Sequence, residues 1–498
     1  MSPCFRGLGI NEDPDAQYDV IVIGAGIGGL ICASLLGEAG MKVLLAEQHY
    51  VVGGYCSSFT RKGFKFDVAS HFYPLLGNAE TITGKLLRRL GVETEWIRMD
   101  PVDHFHFPDG TRYSVPADFK RYFKELKAMF PSEAEHLDAF FAEVRTLYLL
   151  GLLGYFRGKD LDRLQAHGKE SLRMALDRHF EDAKLKLLLT ADCPHWGGPP
   201  KRTSYVFDSM LRLSYFLGNY YPRGGSQKFA NDLANTVLRK GGDVVLRARA
   251  QRITVEKGRV AGVELELGPT NKRRSVFVRS AQVVSNADML QTCEQLLGPE
   301  HFDSEYLQRL RGFRRTYPCY LMHIGLSNAS AEELYEAQGY YWDDWDPDDV
   351  GTTALRFKLF VPTLFDPQVA PEGAQIIIIQ KVLEMNYEQV NDWEEHKAGV
   401  DAFVLSHIQR VIPRFTERTA VRLSASARTS FHFTMNQGGA MLGWEMSPDQ
   451  LGHNRPNTES PMPGLFYTGH WTQPGGGITP VIVSAMRVCE AITGNKYF

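Results

Sequence analysis

Cysteine spacing of the kind that builds a metal or redox site is missing from this chain. Its seven cysteines, at positions 4, 32, 56, 193, 293, 319 and 489, are scattered and include no C-x-x-C pair. That argues against a structural zinc or a disulfide framework and for a reducing compartment. Excess basic charge is missing too: the formal net charge is −3, which leaves no electrostatic footprint for nucleic acid. No run reaches the eighteen or so apolar residues that a bilayer crossing requires. Residues 1–17 lack the basic start and apolar core of a signal peptide, so they are expected to be a flexible lead-in to a chain on the cytoplasmic side. The acidic stretch Trp342–Asp349 lacks EF-hand spacing and reads as a solvated loop. His104 and His106 share a strand face as a metal pair would, but no third ligand lies near them in sequence, and no metal is expected. What remains is ordinary for a globular protein: 498 residues, 44% hydrophobic and 23% charged, enough for two or three domains.

The most informative stretch is Tyr18–Glu47. Asp19–Ile23 is a short β-branched run that reads as a strand buried on both faces. It leads into Gly24-Ala25-Gly26-Ile27-Gly28-Gly29, a G-x-G-x-x-G sequence. Leu30–Ala39 has helical apolar spacing, Gly40 is a plausible C-cap, and Lys42–Ala46 is a second strand ending on Glu47. In this order Gly24 permits the tight turn, Gly26 lets a pyrophosphate reach the backbone, and Gly29 lets the helix close on the strand. The helix start with Gly28 offers N–H groups to phosphate, and Glu47 offers a carboxylate to an unmodified adenosine ribose. The ligand is FAD or NAD. Gly53-Gly54 forms a second backbone-exposing loop, and Ser57 and Ser58 beyond it suit phosphate or ribose contacts; no G-x-S-x-G elbow makes either a nucleophile.

Together with Gly63-Phe64-Lys65-Phe66-Asp67, these motifs resemble the family of phytoene desaturases, carotenoid isomerases and retinol saturases, flavoproteins with two dinucleotide motifs. One departure is Tyr55, where the familiar loop has arginine; the isomerase and saturase branches also lack it. The resemblance spans residues 18–73, 221–290 and 427–494. It implies FAD, with strand backbone at Ala250 near the adenine. It also implies that Gly469 and Gly475-Gly476-Gly477-Ile478, at the start of a last helix over Thr479–Thr493, lie against the flavin ring. Residues 427–444 resemble the glycine-rich strand that precedes this final motif. The implied fold is α/β: a Rossmann-like FAD-binding domain from residues 18–98, 221–296 and 421–498, with an inserted α+β substrate domain from 99–220 and 297–420.

The inserted stretches are rich in aromatics. Leu147–Phe156 is ten apolar residues between Arg145 and Arg157, which fits a buried helix or a monotopic patch that dips into a membrane surface. Tyr205–Tyr221 fits core or the lining of an apolar tunnel. The expected activity is oxidoreduction of a long conjugated isoprenoid: desaturation, cis-trans isomerisation or saturation, tilted slightly toward the last two. The partners expected are a lipid-soluble polyene, a membrane surface, and a quinone or oxygen as electron acceptor. His71 and His470 are candidate catalytic residues, His71 for proton transfer and His470 rather for positioning. Rival expectations are an amine- or porphyrinogen-oxidase-like flavoenzyme and a non-catalytic prenyl-lipid carrier of the same fold.

Overall fold

The computed structural model describes residues 13–156, 164, 167–190, 192–269, 271–349 and 356–497. Residues 1–12 of the expected lead-in lie outside them. Residues 13–17 are tied down: Ala16 O accepts from Arg279 N at 2.9 Å, and Asp15 pairs with Lys42.

Val20–Ile23, fully buried and rich in branched side chains, forms the centre of a five-stranded parallel sheet. Its order is 465–467, 283–285, 20–23, 43–47, 243–246, and every pairing is parallel. The helix Ile27–Glu38 connects the first two strands in chain order and is buried from Ile27 to Gly37, so it shows no amphipathic stripe. It can lie this close to the sheet because Gly29 has no side chain: a Cβ there would stand 2.0 Å from Gly24 O. The last helix, Ile478–Thr493, packs beside it, burying Ile482, Ala485, Met486 and Cys489. A three-stranded antiparallel sheet of Ala248–Glu256, Arg259–Leu267 and Arg274–Arg279 lies to one side.

The second main layer is a seven-stranded sheet in the order 419–425, 319–327, 374–382, 356–360, 339–342, 103–106, 112–115. Ala374–Val382, with its run of four isoleucines, is interior as its sequence predicts. Helices Phe119–Met129, Ala134–Gly151, Leu172–His179, Ala183–Thr190 and Tyr205–Phe216 form an aromatic-rich cluster beyond it.

Two expectations need correction. Residues 427–444 are no strand: Ala427–Thr434 is a helix capped by Ser426, and Met435, Gly438 and Gly439 at positive φ then turn the chain sharply. The boundary at 420/421 is also misplaced, since Thr419–Ala425 pairs along its length with the inserted sheet's Cys319–Ser327 strand. Leu147–Phe156 is the end of a helix plus a wider turn, Leu152–Phe156; Leu147 and Leu150 are buried, while Leu149 is 60% exposed. No helix among the described residues is long and apolar enough to cross a membrane.

Candidate functional site

A cavity of about 910 Å³ runs between the parallel sheet and the inserted layer. Ligands of open parallel sheets bind beyond the carboxyl ends of the strands, where neighbouring connections diverge. Here those ends deliver Gly24, Glu47, Asn286 and Gly469 to the cavity, with Ala250 following the fifth strand. The glycine loops complete that wall: Gly26 and Gly28, then Gly53 and Gly54 with Ser57 and Ser58, then Gly476, Gly477 and Ile478. Gly29 does not line the cavity; it lies behind, against the strand.

These residues fit a dinucleotide. A Cβ on Gly28 or on Gly469 would come within 2.6 Å of Asn286 Oδ1, and one on Gly26 within 2.9 Å of its Nδ2. The three glycines therefore leave bare backbone around one amide, whose Nδ2 donates to Gly24 O at 3.2 Å. Glu47 is buried, and its two oxygens each accept one backbone N–H, from Ala25 at 2.7 Å and His49 at 2.8 Å. Each oxygen keeps a further lone pair for a ribose hydroxyl. Burial raises the Glu47 pKa, and those backbone donors work against the rise.

Ser58 is more committed than its sequence position implies. Its N–H donates to Gln227 Oε1; its hydroxyl donates to Asp67 Oδ1 at 2.7 Å and accepts from Gln227 N. It braces the loop against the helix Ser226–Arg239. Ser57 donates its hydroxyl to Gly54 O.

The other wall is apolar: Tyr148, Leu152 and Tyr155 come from the end of one helix and its turn, Phe207, Met210 and Leu211 from another. The inserted sheet contributes His323 and Ser424 to the lining, but not Tyr340, Lys358 or Gln380. Its register places Tyr340, Lys358 and Gln380 side by side across three strands. The Lys358 ammonium is buried, bonds Asp103 Oδ2 at 2.6 Å and sits 3.2 Å from the centre of the Phe72 ring. Burial, opposed by Asp103, brings its pKa down to about 8.

His71 and His470 both line the cavity. The His71 ring stacks on Phe360 at 4.4 Å and faces Gln380 Nε2 through Nδ1 at 3.4 Å; its Nε2 is buried and has no hydrogen-bond partner among the described residues. Burial first, then the Lys358 charge, push its pKa well below the ordinary value. His470 is held neutral by burial and by the nearby Arg455, its pKa brought down to about 3. Arg455, wholly buried, donates to the carbonyls of Thr472, Glu445, Trp444 and His470 and so binds the strand-to-loop turn from behind. His104 and His106 are engaged elsewhere, with Ser114 and Arg112 and with Gln338 O, and among the described residues no group of three metal-ligating side chains exists.

Sequence reasoning missed Asn286, His195, Arg455 and the Lys358–Asp103 pair. Only Asn286 carried a signal, as the small polar residue ending a buried strand.

Residues 27–493 match the family model described as flavin containing amine oxidoreductase. Among curated proteins, the chain is 25% identical to the chloroplastic prolycopene isomerase of Daucus carota, over 96% of this chain and 80% of that one. It is 25% identical to the zeta-carotene-forming phytoene desaturase of Myxococcus xanthus, over 95% and 93%. It is 24% identical to the all-trans-retinol 13,14-reductase of Danio rerio, over 91% and 82%. Of solved structures, wild-type putrescine oxidase bound to putrescine superposes with a TM-score of 0.67 at 14% identity, covering 97% of this chain and all of that one. An oxidoreductase from Methanosarcina mazei gives 0.62 at 18% identity, covering 95% and 99%. The structural likenesses carry the fold alone. The family match covers nearly the whole chain, and the glycine-walled cavity fits the cofactor: this protein belongs to the flavin containing amine oxidoreductase family and is an FAD-dependent oxidoreductase.

Proposed function

We propose that this enzyme changes a carbon–carbon double bond of a long, conjugated, lipid-soluble isoprenoid by desaturation, cis-trans isomerisation or saturation. The observation that carries the reading is a single cavity with a glycine-lined wall on one side and an aromatic, aliphatic wall on the other. The family relatives named for carotenoid and retinol substrates support it; the putrescine oxidase likeness, at 14% identity, does not extend to substrate.

When bound, FAD supplies hydride transfer to or from carbon. The chain's own residues do the rest. In our assignment Gly26, Gly28 and the start of the helix Ile27–Glu38 hold the pyrophosphate, Glu47 the ribose, and the backbone at Ala250 the adenine. Gly53, Gly54 and Ser57 cover the same region. Gly469, Gly476, Gly477 and Ile478 face the ring system, and the helix N-terminus at Ile478 favours negative charge there. Tyr148, Leu152, Tyr155 and Phe207 exclude water and align the polyene. Segments 18–98, 221–296 and 426–498 form the cofactor half; 99–220 and 297–425 form the substrate half. The exposed Leu149, beside Leu152 of the cavity wall, fits entry of substrate from a membrane surface, and a quinone or oxygen fits as electron acceptor.

Pigment chromatography after co-expression with different carotenoid precursors tests this reading. A longer-wavelength product identifies a desaturase, an isomer of equal mass an isomerase, and lost conjugation a saturase. A yellow, FAD-loaded protein that changes none of them sinks the polyene assignment.

A further inference from the structure

The inserted sheet brings an unpaired lone pair to the cavity. Its register sets Leu321 opposite Ala425 and His323 opposite Leu423, and all four residues line the cavity. The His323 ring lies among aromatics, 5.1 Å from Phe59 and 5.7 Å from Phe66, and the residue is only 3% exposed. Ser424, the other polar residue that this sheet adds to the lining, is committed: its hydroxyl donates to Asp401 Oδ2 at 3.0 Å.

The proton on His323 can be placed. Nε2 stands 3.0 Å from Asp67 O and 3.2 Å from Val68 O, and carbonyls only accept, so Nε2 carries the hydrogen. Turning the ring over would set a C–H against both carbonyls. Nδ1 is therefore a bare lone pair. Among the described residues it has no hydrogen-bond partner, yet it is not sealed from the surface as His71 Nε2 is. The surface that it keeps belongs to the cavity.

Held in this tautomer, the ring can accept a proton at Nδ1 and has none to give there. Burial keeps it neutral, bringing its pKa down to about 4, while the two carbonyls oppose that fall. Those carbonyls also steady the charged ring once Nδ1 is protonated, because the Nε2–H stays in place. The wall around the lone pair is hydrocarbon, and a hydrocarbon substrate brings it no N–H or O–H. The proton that such a ligand yields comes from carbon, next to a carbon that has lost hydride, where even a weak base suffices. We infer that His323 Nδ1 is the general base of a desaturation, taking the proton from the carbon beside the one that gives up hydride. One C–H bond of the polyene loses its hydride, and with it two electrons, to oxidised FAD. The neighbouring C–H bond breaks, its proton goes to Nδ1, and its electron pair closes the new double bond. The imidazolium then passes the proton to water, and the quinone or oxygen named above reoxidises the flavin. The inference rests on the polyene reading and narrows it to the direction that removes hydrogen.

The test uses the FAD-loaded protein and the carotenoid precursor whose chromatogram the wild type changes. His323→Gln keeps an N–H for the two carbonyls and replaces the basic nitrogen by an amide. It should hold FAD and precursor as the wild type does and turn over about a hundredfold more slowly or worse. His323→Ala should be as slow and regain turnover with added imidazoles, more with the more basic ones. Full turnover of His323→Gln, or a rescue of His323→Ala that ignores basicity, overturns the inference. So does a wild-type product of equal mass or with lost conjugation, which leaves the polyene reading standing. If His323→Gln is purified without flavin, the imidazole serves the cofactor and the inference is wrong. If the wild type changes no precursor, the polyene reading fails and the inference falls with it. Should His323→Ala not fold or not admit imidazole, His323→Gln decides.

Discussion

Gln380 determines which nitrogen of His71 carries the proton. Its amide lies between the Ala69 carbonyl, 2.7 Å away, and His71 Nδ1, 3.4 Å away, and it is itself buried. Gln380→Leu keeps the bulk and removes both bonds. The Ala69 carbonyl is then unpaired and the imidazole free to change tautomer. We expect a loss of about 1–3 kcal/mol in urea-monitored unfolding with flavin content unchanged. An unchanged unfolding midpoint would show that water replaces the amide and that the tautomer is not held.

Gly29→Ala and Gly40→Ala separate packing from backbone strain. A Cβ at Gly29 meets Gly24 O at 2.0 Å, so the helix must move off the strand that carries the dinucleotide turn. The expected result is a loss of about 1–3 kcal/mol or more and a chain purified with little flavin. At Gly40, φ is +84° and no atom of the described residues lies within 4 Å of the added carbon, so alanine there should cost about 1–2 kcal/mol and leave the flavin absorbance intact. Equal flavin retention in the two variants would show that the helix position is not what holds the cofactor.

The dinucleotide unit was legible because its parts are local. Strand, turn glycine, helix and acidic strand end follow one another within a single stretch, and the observed boundaries differ from the expected ones by a few residues at most. The row Tyr340–Lys358–Gln380 was not legible. It arises from the register of three strands far apart in sequence, and a lysine in Arg356–Phe360 looks like a solvent-facing residue until Asp103 is brought to it. The misread strand at 427–444 has a local cause: glycines that suit a close-packed strand suit positive-φ turns equally well, and Gly438 and Gly439 adopt the latter.

The Lys358–Asp103 pair gives a prediction in two parts. Removing one partner leaves an unpaired buried charge, so Asp103→Leu should cost about 3–5 kcal/mol, and the double variant with Lys358→Met should recover much of that loss. The pH dependence follows from the lowered lysine pKa. Between about 8 and the ordinary 10.5 the unfolded chain binds the proton and the native state does not. Lys358 therefore makes stability rise with pH across that window, by at most about 1.4 kcal/mol per pH unit, and lose the gain as pH falls back toward 8. The wild-type curve should be steeper there than that of Lys358→Met with Asp103→Leu. Parallel curves would mean the ammonium titrates in the native state as it does in water.

Acid should unfold this protein through its neutral histidines. Burial brings His195 and His470 down to about 3 and His323 to about 4, from the ordinary 6.5. Below pH 6.5 the unfolded chain takes up protons that the native state refuses, so stability is complete above 6.5 and falls as pH is lowered toward 4. Each group contributes a slope of at most about 1.4 kcal/mol per pH unit. His323, whose Nε2 contacts Asp67 O and Val68 O at 3.0 and 3.2 Å, is the best single probe. His323→Gln keeps a donor for those carbonyls and removes the titration, so its stability should decline less steeply than the wild type's between pH 6.5 and 4. Identical slopes would place the acid sensitivity elsewhere, in the other buried histidines or in ion-paired carboxylates such as Glu143 and Glu333, whose partners hold their pKa values down.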